Sequence, residues 1–318
     1  LYDDAVALLA SEGFAALDDA IKGFELVVAA DPAFLDAYYG AADAWLLKYE
    51  FSEKKDPRWL ERALEYVDAV IEGDGELAAA WYKRASILFS MDRVDDAVAA
   101  LEQAIDIDPA YLEARGMLLQ ILLSRGEGEA GRKFAKDSLK HFPQDPAPLK
   151  YFGDIFAREG LTADAAAYYR DVIARVPEAP YTRFALGNIY QGEGRFEEAL
   201  VEYGKALEQA PEFVDTHVSM SYCYSETGDL EKALEHIGVY LEANPRDVSA
   251  LNNAALLYEQ AGQQRKARVA WLKVKDATDD RTYLERAEQH LYRLLSSAPG
   301  PSGEGGGKDG GAVEKEKK

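Results

Sequence analysis

FALGNIYQGEGRFEEALVEYGKALEQAP, residues 184–211, holds two runs in which apolar side chains recur every three or four residues, parted by the turn QGEGR at 191–195. That spacing lines one face of a helix, and glycine lets the backbone reverse so that two helices fold back on each other as a hairpin. The stretch closes on Pro211, which lacks a donor N–H and clashes with the preceding helical turn. It is one of five prolines, Pro109, Pro143, Pro177, Pro211 and Pro245, each 34 residues from the next. A fixed step of this size marks an array of stacked, near-identical units.

Other columns keep the step. A small residue stands twelve places before each proline, at Ala97, Gly131, Ala165, Ala199 and Ala233, and again at Ala267. A second small column reads Ala85, Gly153, Gly187, Ser221 and Ala255, with Leu119 as its one large member. Bulky columns run beside them: Leu88, Leu122, Phe156, Tyr190, Tyr224 and Tyr258, then Leu101, Tyr169, Tyr203, Ile237 and Trp271, with Ala135 the weak member. Small residues let paired helices approach closely while the large ones interlock around them.

The pattern resembles the tetratricopeptide repeat, with Leu186, Gly187, Tyr190, Gly194, Ala199, Tyr203, Ala206 and Pro211 on its signature places. The resemblance implies an all-α fold, a right-handed superhelical solenoid of about eight helix pairs. Phasing from the prolines sets repeats at 1–34, 35–77, 78–111, 112–145, 146–179, 180–213, 214–247 and 248–281, with a capping helix at 282–296. The second repeat is longer by about nine residues, placed at its inter-helix turn around 47–59. Arg115, Arg183 and His217 stand where other repeats have Trp81 and Leu251, and the arginine heads are expected to reach water along their stems. Arg286, Glu288, Gln289 and Arg293 are expected to give the cap a polar outer face.

The formal charge of −21 and pI near 4.6 argue against nucleic-acid binding, which needs clustered Lys and Arg. They favour a neutral or basic protein or peptide partner with apolar anchors. A single cysteine, Cys223, cannot form an internal disulfide and falls on the core side of its helix. No run reaches the ~20 apolar residues of a membrane span, no signal peptide is evident, and the reading is cytoplasmic. The chain starts at Leu1 rather than Met, which reads as a piece of something longer. Residues 297–318, rich in Gly, Lys and Glu, bury almost nothing and are expected to be disordered.

Catalytic and cofactor motifs fail on context. GEGEAG at 126–131 spells GxGxxG, but a dinucleotide site needs a strand before it, and here the string lies in a turn between helices. Four histidines, His141, His217, His236 and His290, read as scattered among repeats, without the spacing of a metal site. The chain is read as a non-enzyme without cofactor or metal.

In tetratricopeptide arrays the first helix of each repeat lines the concave face, with its second, fifth and ninth places toward ligand. Matching positions make Tyr39, Asp43, Tyr82, Ser86, Gln120, Lys150, Asp154, Tyr181, Phe184, Asn188, Tyr222 and Asn252 the candidate binding residues. Aromatics there would anchor another chain at small entropic cost, and Asn188 and Asn252 could hold a peptide backbone. The lysine–asparagine clamp of some co-chaperones is missing, since Lys150 is followed at the ninth place by Asp154. The function read is a non-catalytic interaction scaffold. Residues 31–71, DPAFLDAYYGAADAWLLKYEFSEKKDPRWLERALEYVDAVI, resemble the C-terminal arrays of bacterial serine/threonine kinases, which would make the chain the sensing or docking part of a signalling protein. The alternative is a self-assembling structural scaffold.

Overall fold

The structure, a computed structural model, describes residues 1–11 and 14–296; the segment 297–318, read above as disordered, lies outside the described residues. Among them are seventeen α-helices and no strand. The chain is an all-α array of helical hairpins.

It divides into two compact units, Leu1–Thr182 and a second from Arg183 onward. The first holds α1 (Tyr2–Leu9), α2 (Phe14–Ala30), α3 (Leu35–Phe51), α4 (Pro57–Gly73), α5 (Ala78–Ser90), α6 (Val94–Ile107), α7 (Leu112–Ser124), α8 (Gly128–Ser138), α9 (Ala147–Arg158) and α10 (Thr162–Arg175). Next comes α11 (Pro180–Gly192), whose residues from Arg183 belong to the second unit. There follow α12 (Phe196–Gln209), α13 (Asp215–Glu226), α14 (Leu230–Ala243), α15 (Val248–Gln260), α16 (Gln264–Ala277) and α17 (Arg281–Ser296). Within each unit, helices pack chiefly on their neighbours in sequence, so the core is a run of interfaces rather than one centre.

Those interfaces are set by size matching. A β-carbon on Gly153 would come within 2.9 Å of the Tyr169 ring, and one on Gly187 within 2.6 Å of Tyr203. The same step pairs Ala85 with Leu101, and Ala255 with Trp271, all fully buried. In the α7–α8 hairpin the sizes exchange: Leu119 takes the small place and Ala135 the large one, again both fully buried. The two exceptions in the sequence columns therefore complement each other.

A further 34-residue column lies in the hairpin turns. Gly126, Gly160, Gly194, Gly228 and Gly262 all have φ between 69° and 86°, and Asp92 holds the same place with φ 61°. In each turn the next N–H reaches back to the bulky column, as from Arg195 to Tyr190 O at 2.8 Å and from Arg93 to Leu88 O at 2.9 Å. This left-handed closure satisfies carbonyls that a helix end leaves open. Gly126, the first glycine of the GxGxxG string, does this work between two helices.

Three expectations change. The extra residues of the second repeat mostly lengthen helices, since α3 and α4 have 17 residues each. The short connector between them is tied down: Lys55 donates to the Glu50 carbonyl at 2.6 Å, and Asp56 caps α4 by accepting from the Arg58 N–H. Arg115 does not reach water. It is 5% exposed, and its guanidinium donates to Pro109 O at 2.6 Å and Ser138 Oγ at 3.0 Å, because burying a donor requires an acceptor. The histidines are not all scattered, since His217 and His236 meet across the α13–α14 hairpin with their Nδ1 atoms 2.8 Å apart. On α17 the polar residues Arg286, Glu288, Gln289 and Arg293 are all exposed, and three of them also reach the preceding hairpin: Glu288 pairs with Lys275, Arg286 reaches Asn252, and Arg293 pairs with Glu259.

Candidate binding surface

In the first unit, the first helices of successive hairpins bring tyrosines together. Tyr82 packs on Tyr111 with ring centroids 5.3 Å apart. Burial pushes the Tyr39 hydroxyl well above its ordinary range, with Asp43, Tyr111 and Tyr82 adding to it. Tyr151 is raised likewise, by burial and then by the neighbouring Tyr82 and Glu113. Tyr151 also fills the space over Gly116, where a β-carbon would approach its ring to 2.1 Å.

Lys83 ties this group together. It pairs with Asp43 and lies over the Tyr39 ring at 5.5 Å. Ser86 donates to the Tyr82 carbonyl at 3.1 Å within its own helix. Lys150 and Asp154 pair at 2.7 Å, and Asp154 also accepts from the Tyr169 hydroxyl at 2.8 Å, so the two charges neutralise each other. Gln120 is half-buried on α7. Tyr181, at the start of α11, is 62% exposed. Tyr111, Tyr151 and Lys83 were not singled out by repeat position. Tyr111 lies just ahead of its first helix, at the turn after Pro109.

In the second unit a cleft of about 460 Å³ opens on α14, α15 and α16, and another of about 370 Å³ on the first helices α13 and α15. The latter is lined by Gln191, Val218, Tyr222, Ser225, Leu256 and Gln260, among others. Tyr222 is 48% exposed at its edge, with the Phe196 ring edge-on at 6.0 Å. The Tyr203 hydroxyl lies 2.7 Å from Asn188 Oδ1 and 2.9 Å from Gln191 Oε1. The single phenolic proton is shared between the two amide oxygens.

The other candidates of this unit sit deeper. Phe184 is wedged between Tyr203 and Phe213, with centroids at 5.5 and 4.7 Å. Asn252 is 5% exposed, and its oxygen accepts from Arg286 at 3.4 Å. The exposed amides on α15 are its neighbour Asn253 and Gln260. Cys223 is fully buried behind the cleft, and burial pushes its thiol up to about 11. Among the described residues, no group of three metal-ligating side chains converges, and no helix is long and apolar enough to cross a membrane.

Two family models, both described as tetratricopeptide repeat, match this chain. One covers residues 88–150 and 190–257, the other 60–111 and 152–213. No curated protein matches. Among solved structures, the C-terminal part of a repeat-containing protein from Cytophaga hutchinsonii superposes with a TM-score of 0.55 at 16% identity, covering 80% of this chain and 99% of that one. Yeast Tom70 superposes with a TM-score of 0.53 at 15% identity over 89% of this chain. This chain spans 59% of the Tom70 chain. At such identities the likeness concerns the fold.

Proposed function

We propose, from the premise that the chain belongs to the tetratricopeptide repeat family, that it is a non-catalytic protein-interaction module whose first-helix face takes an extended peptide. One observation carries this reading: the cleft on α13 and α15 places a half-exposed Tyr222 beside Val218 and Leu256, with amides at Gln191, Asn253 and Gln260 around them. Aliphatic walls offer an anchor pocket, and amides that both donate and accept suit a peptide backbone. The ligand chemistry is an uncharged stretch with one bulky apolar side chain. In the first unit, Tyr39, Tyr82, Tyr111 and Tyr151 supply rigid aromatic contact area of the kind that dominates binding energy.

The test is selection of random displayed peptides on the intact chain, followed by affinity measurement on variants. Tyr222→Ala combined with Leu256→Ser should weaken the selected peptides by about tenfold or more, which is about 1.4 kcal/mol. Peptides that bind the double variant as well as the parent would overturn the assignment to this face. Circular dichroism of the variant guards against a folding defect.

A further inference from the structure

The protein carries a formal charge of −21, yet α16 runs against it. Its sequence QRKARVAWLKVKDA holds Arg265, Lys266, Arg268, Lys273 and Lys275 against the single Asp276. Lys275 pairs with Glu288, while Arg265, Lys266, Arg268 and Lys273 have no ion-pair partner among the described residues. Unpaired cations concentrated on one helix of an acidic chain are a local electrostatic feature, not a solubility device.

The same helix is exposed where it is apolar. Val269 and Leu272 are 55% and 58% exposed, and Leu295 on α17 is 60% exposed. Two clefts lie side by side here. One, of about 460 Å³, has Leu241, Leu251 and Tyr258 in its walls and Arg265, Lys266 and Lys273 at its rim, with Glu242 the one anion lining it. The other, of about 490 Å³, lies between α16 and α17 and is lined by Arg265, Arg268, Val269, Leu272, Leu291 and Leu295. Arg265 and Val269 belong to both. Arg265, Val269 and Leu272 stand at i, i+4 and i+7, so they form one stripe along the helix.

We propose that this second-helix face, formed by α14, α16 and α17, is a docking surface for an acidic amphipathic helix of a partner protein. Its aliphatic side chains enter the two clefts on either side of Val269, and its carboxylates meet Arg265, Lys266, Arg268 and Lys273. Charge complementarity selects the partner: an apolar floor alone would accept any hydrophobe, but four cations without ion-pair partners, of which Lys266 also lies over the Tyr258 ring, favour carboxylates and repel a basic helix. Apart from the buried Ile237, which touches both, the first-helix cleft shares no lining residue with these two clefts.

The probe is a labelled synthetic helix with leucine at i, i+3, i+4 and i+7 and glutamate elsewhere on its exposed face, compared with the same peptide bearing lysine for glutamate. Fluorescence anisotropy on the intact chain should show binding of the glutamate peptide only, weakening as salt rises from about 0.05 M to about 0.5 M because exposed charges are screened. Arg265→Glu with Arg268→Glu should weaken it by about tenfold or more and confer binding of the lysine peptide. Val269→Asp should also abolish binding, whereas Tyr222→Ala should leave it intact. All four positions are wholly or partly exposed, so helical content should persist and is checked by circular dichroism. Equal binding of both peptides, no binding, or indifference to the charge reversal overturns the proposal. So does co-sedimentation with phosphatidylserine vesicles in place of peptide binding, which assigns the face to a lipid surface. Self-association that the charge reversal abolishes, without peptide binding, assigns it to a second copy. Peptide binding gained only when residues 297–318 are removed assigns it to the chain's own C-terminal segment.

Discussion

Gly187 lies so close beneath the Tyr203 ring that a β-carbon would stand 2.6 Å from Tyr203 Cε1. Tyr203 is fully buried and its hydroxyl is engaged by Asn188 and Gln191, so the ring cannot retreat without breaking those bonds. Gly187→Ala should therefore destabilise the chain by about 1–3 kcal/mol, the usual cost of overpacking. Urea unfolding followed by circular dichroism measures it, and an unchanged midpoint would show that this contact is slack.

The exchanged pair Leu119 and Ala135 offers a sharper test of the same principle. Leu119→Ala alone should cost about 2–4 kcal/mol through the cavity it leaves, and Ala135→Leu alone should overpack. Together they restore the small–large order of the other hairpins and should recover part of the loss, a coupling visible in a double-mutant cycle. Additive losses would mean that the two places do not share one space.

Asp92 is the one side chain in the left-handed turn column. L-residues pay for that conformation, and glycine does not, so Asp92→Gly should raise stability by about 0.5–1 kcal/mol. Gly194→Ala, at the same place in another hairpin with φ 74°, should lower it by about 1 kcal/mol. The sign of the two changes is the readout: both lowering stability would contradict the strain argument.

His217 and His236 predict a pH response. Burial lowers the pKa of both below 6.5, and His217 itself lowers that of His236; Lys232 acts in the same direction and Glu235 opposes it. Tyr224 stacks on the His236 ring at 5.3 Å. Above 6.5 both states are neutral at these rings and stability is full. As pH falls below 6.5 the unfolded chain takes up protons that the folded one refuses, so stability falls. Urea midpoints at pH 7.5 and 5.5 should differ, and the difference should shrink in the His217→Gln, His236→Gln double variant.

At the end of the array, Glu259 accepts from Trp271 Nε1 at 2.6 Å, His290 Nδ1 at 2.7 Å, and Arg293. Burial works to raise its pKa, but the bonds from Trp271 and His290 and the charge of Arg293 hold it below 4.5. Glu259→Gln should weaken the attachment of α17 by about 1–3 kcal/mol. Hydrogen exchange should quicken in α17 before α12, and uniform exchange would argue against a local role.

What the sequence disclosed was whatever repeats. The small and bulky columns gave the hairpins because burial imposes the same choice in every unit, and even Leu119 and Ala135 were visible as exceptions. Their reciprocity was not visible, since it lies between helices rather than along one. The histidine pair escaped for the same reason, as 19 positions of sequence say nothing of a contact across a hairpin. Asp92 escaped because glycine alone signals the hairpin turn in the sequence, and Asp92 stands in its place. Of the aromatics that repeat position singles out, Tyr222 is exposed, while Tyr39 and Tyr82 are half-buried. Tyr111 and Tyr151 follow no column, and only folding brings them beside Tyr82.

The left-handed turn column described above also makes length a counted quantity. Gly194 and Gly228 occupy equivalent points of successive hairpins in the second unit, each closing onto the same bulky column. Removing the 34 residues between those points rejoins like with like, with Ile237 taking the place of Tyr203 opposite Gly187, whereas removing 30 or 38 would put the columns out of step. In this regular stretch the chain can grow or shrink by whole hairpins, whereas the longer α3–α4 hairpin takes up its extra residues by lengthening both helices.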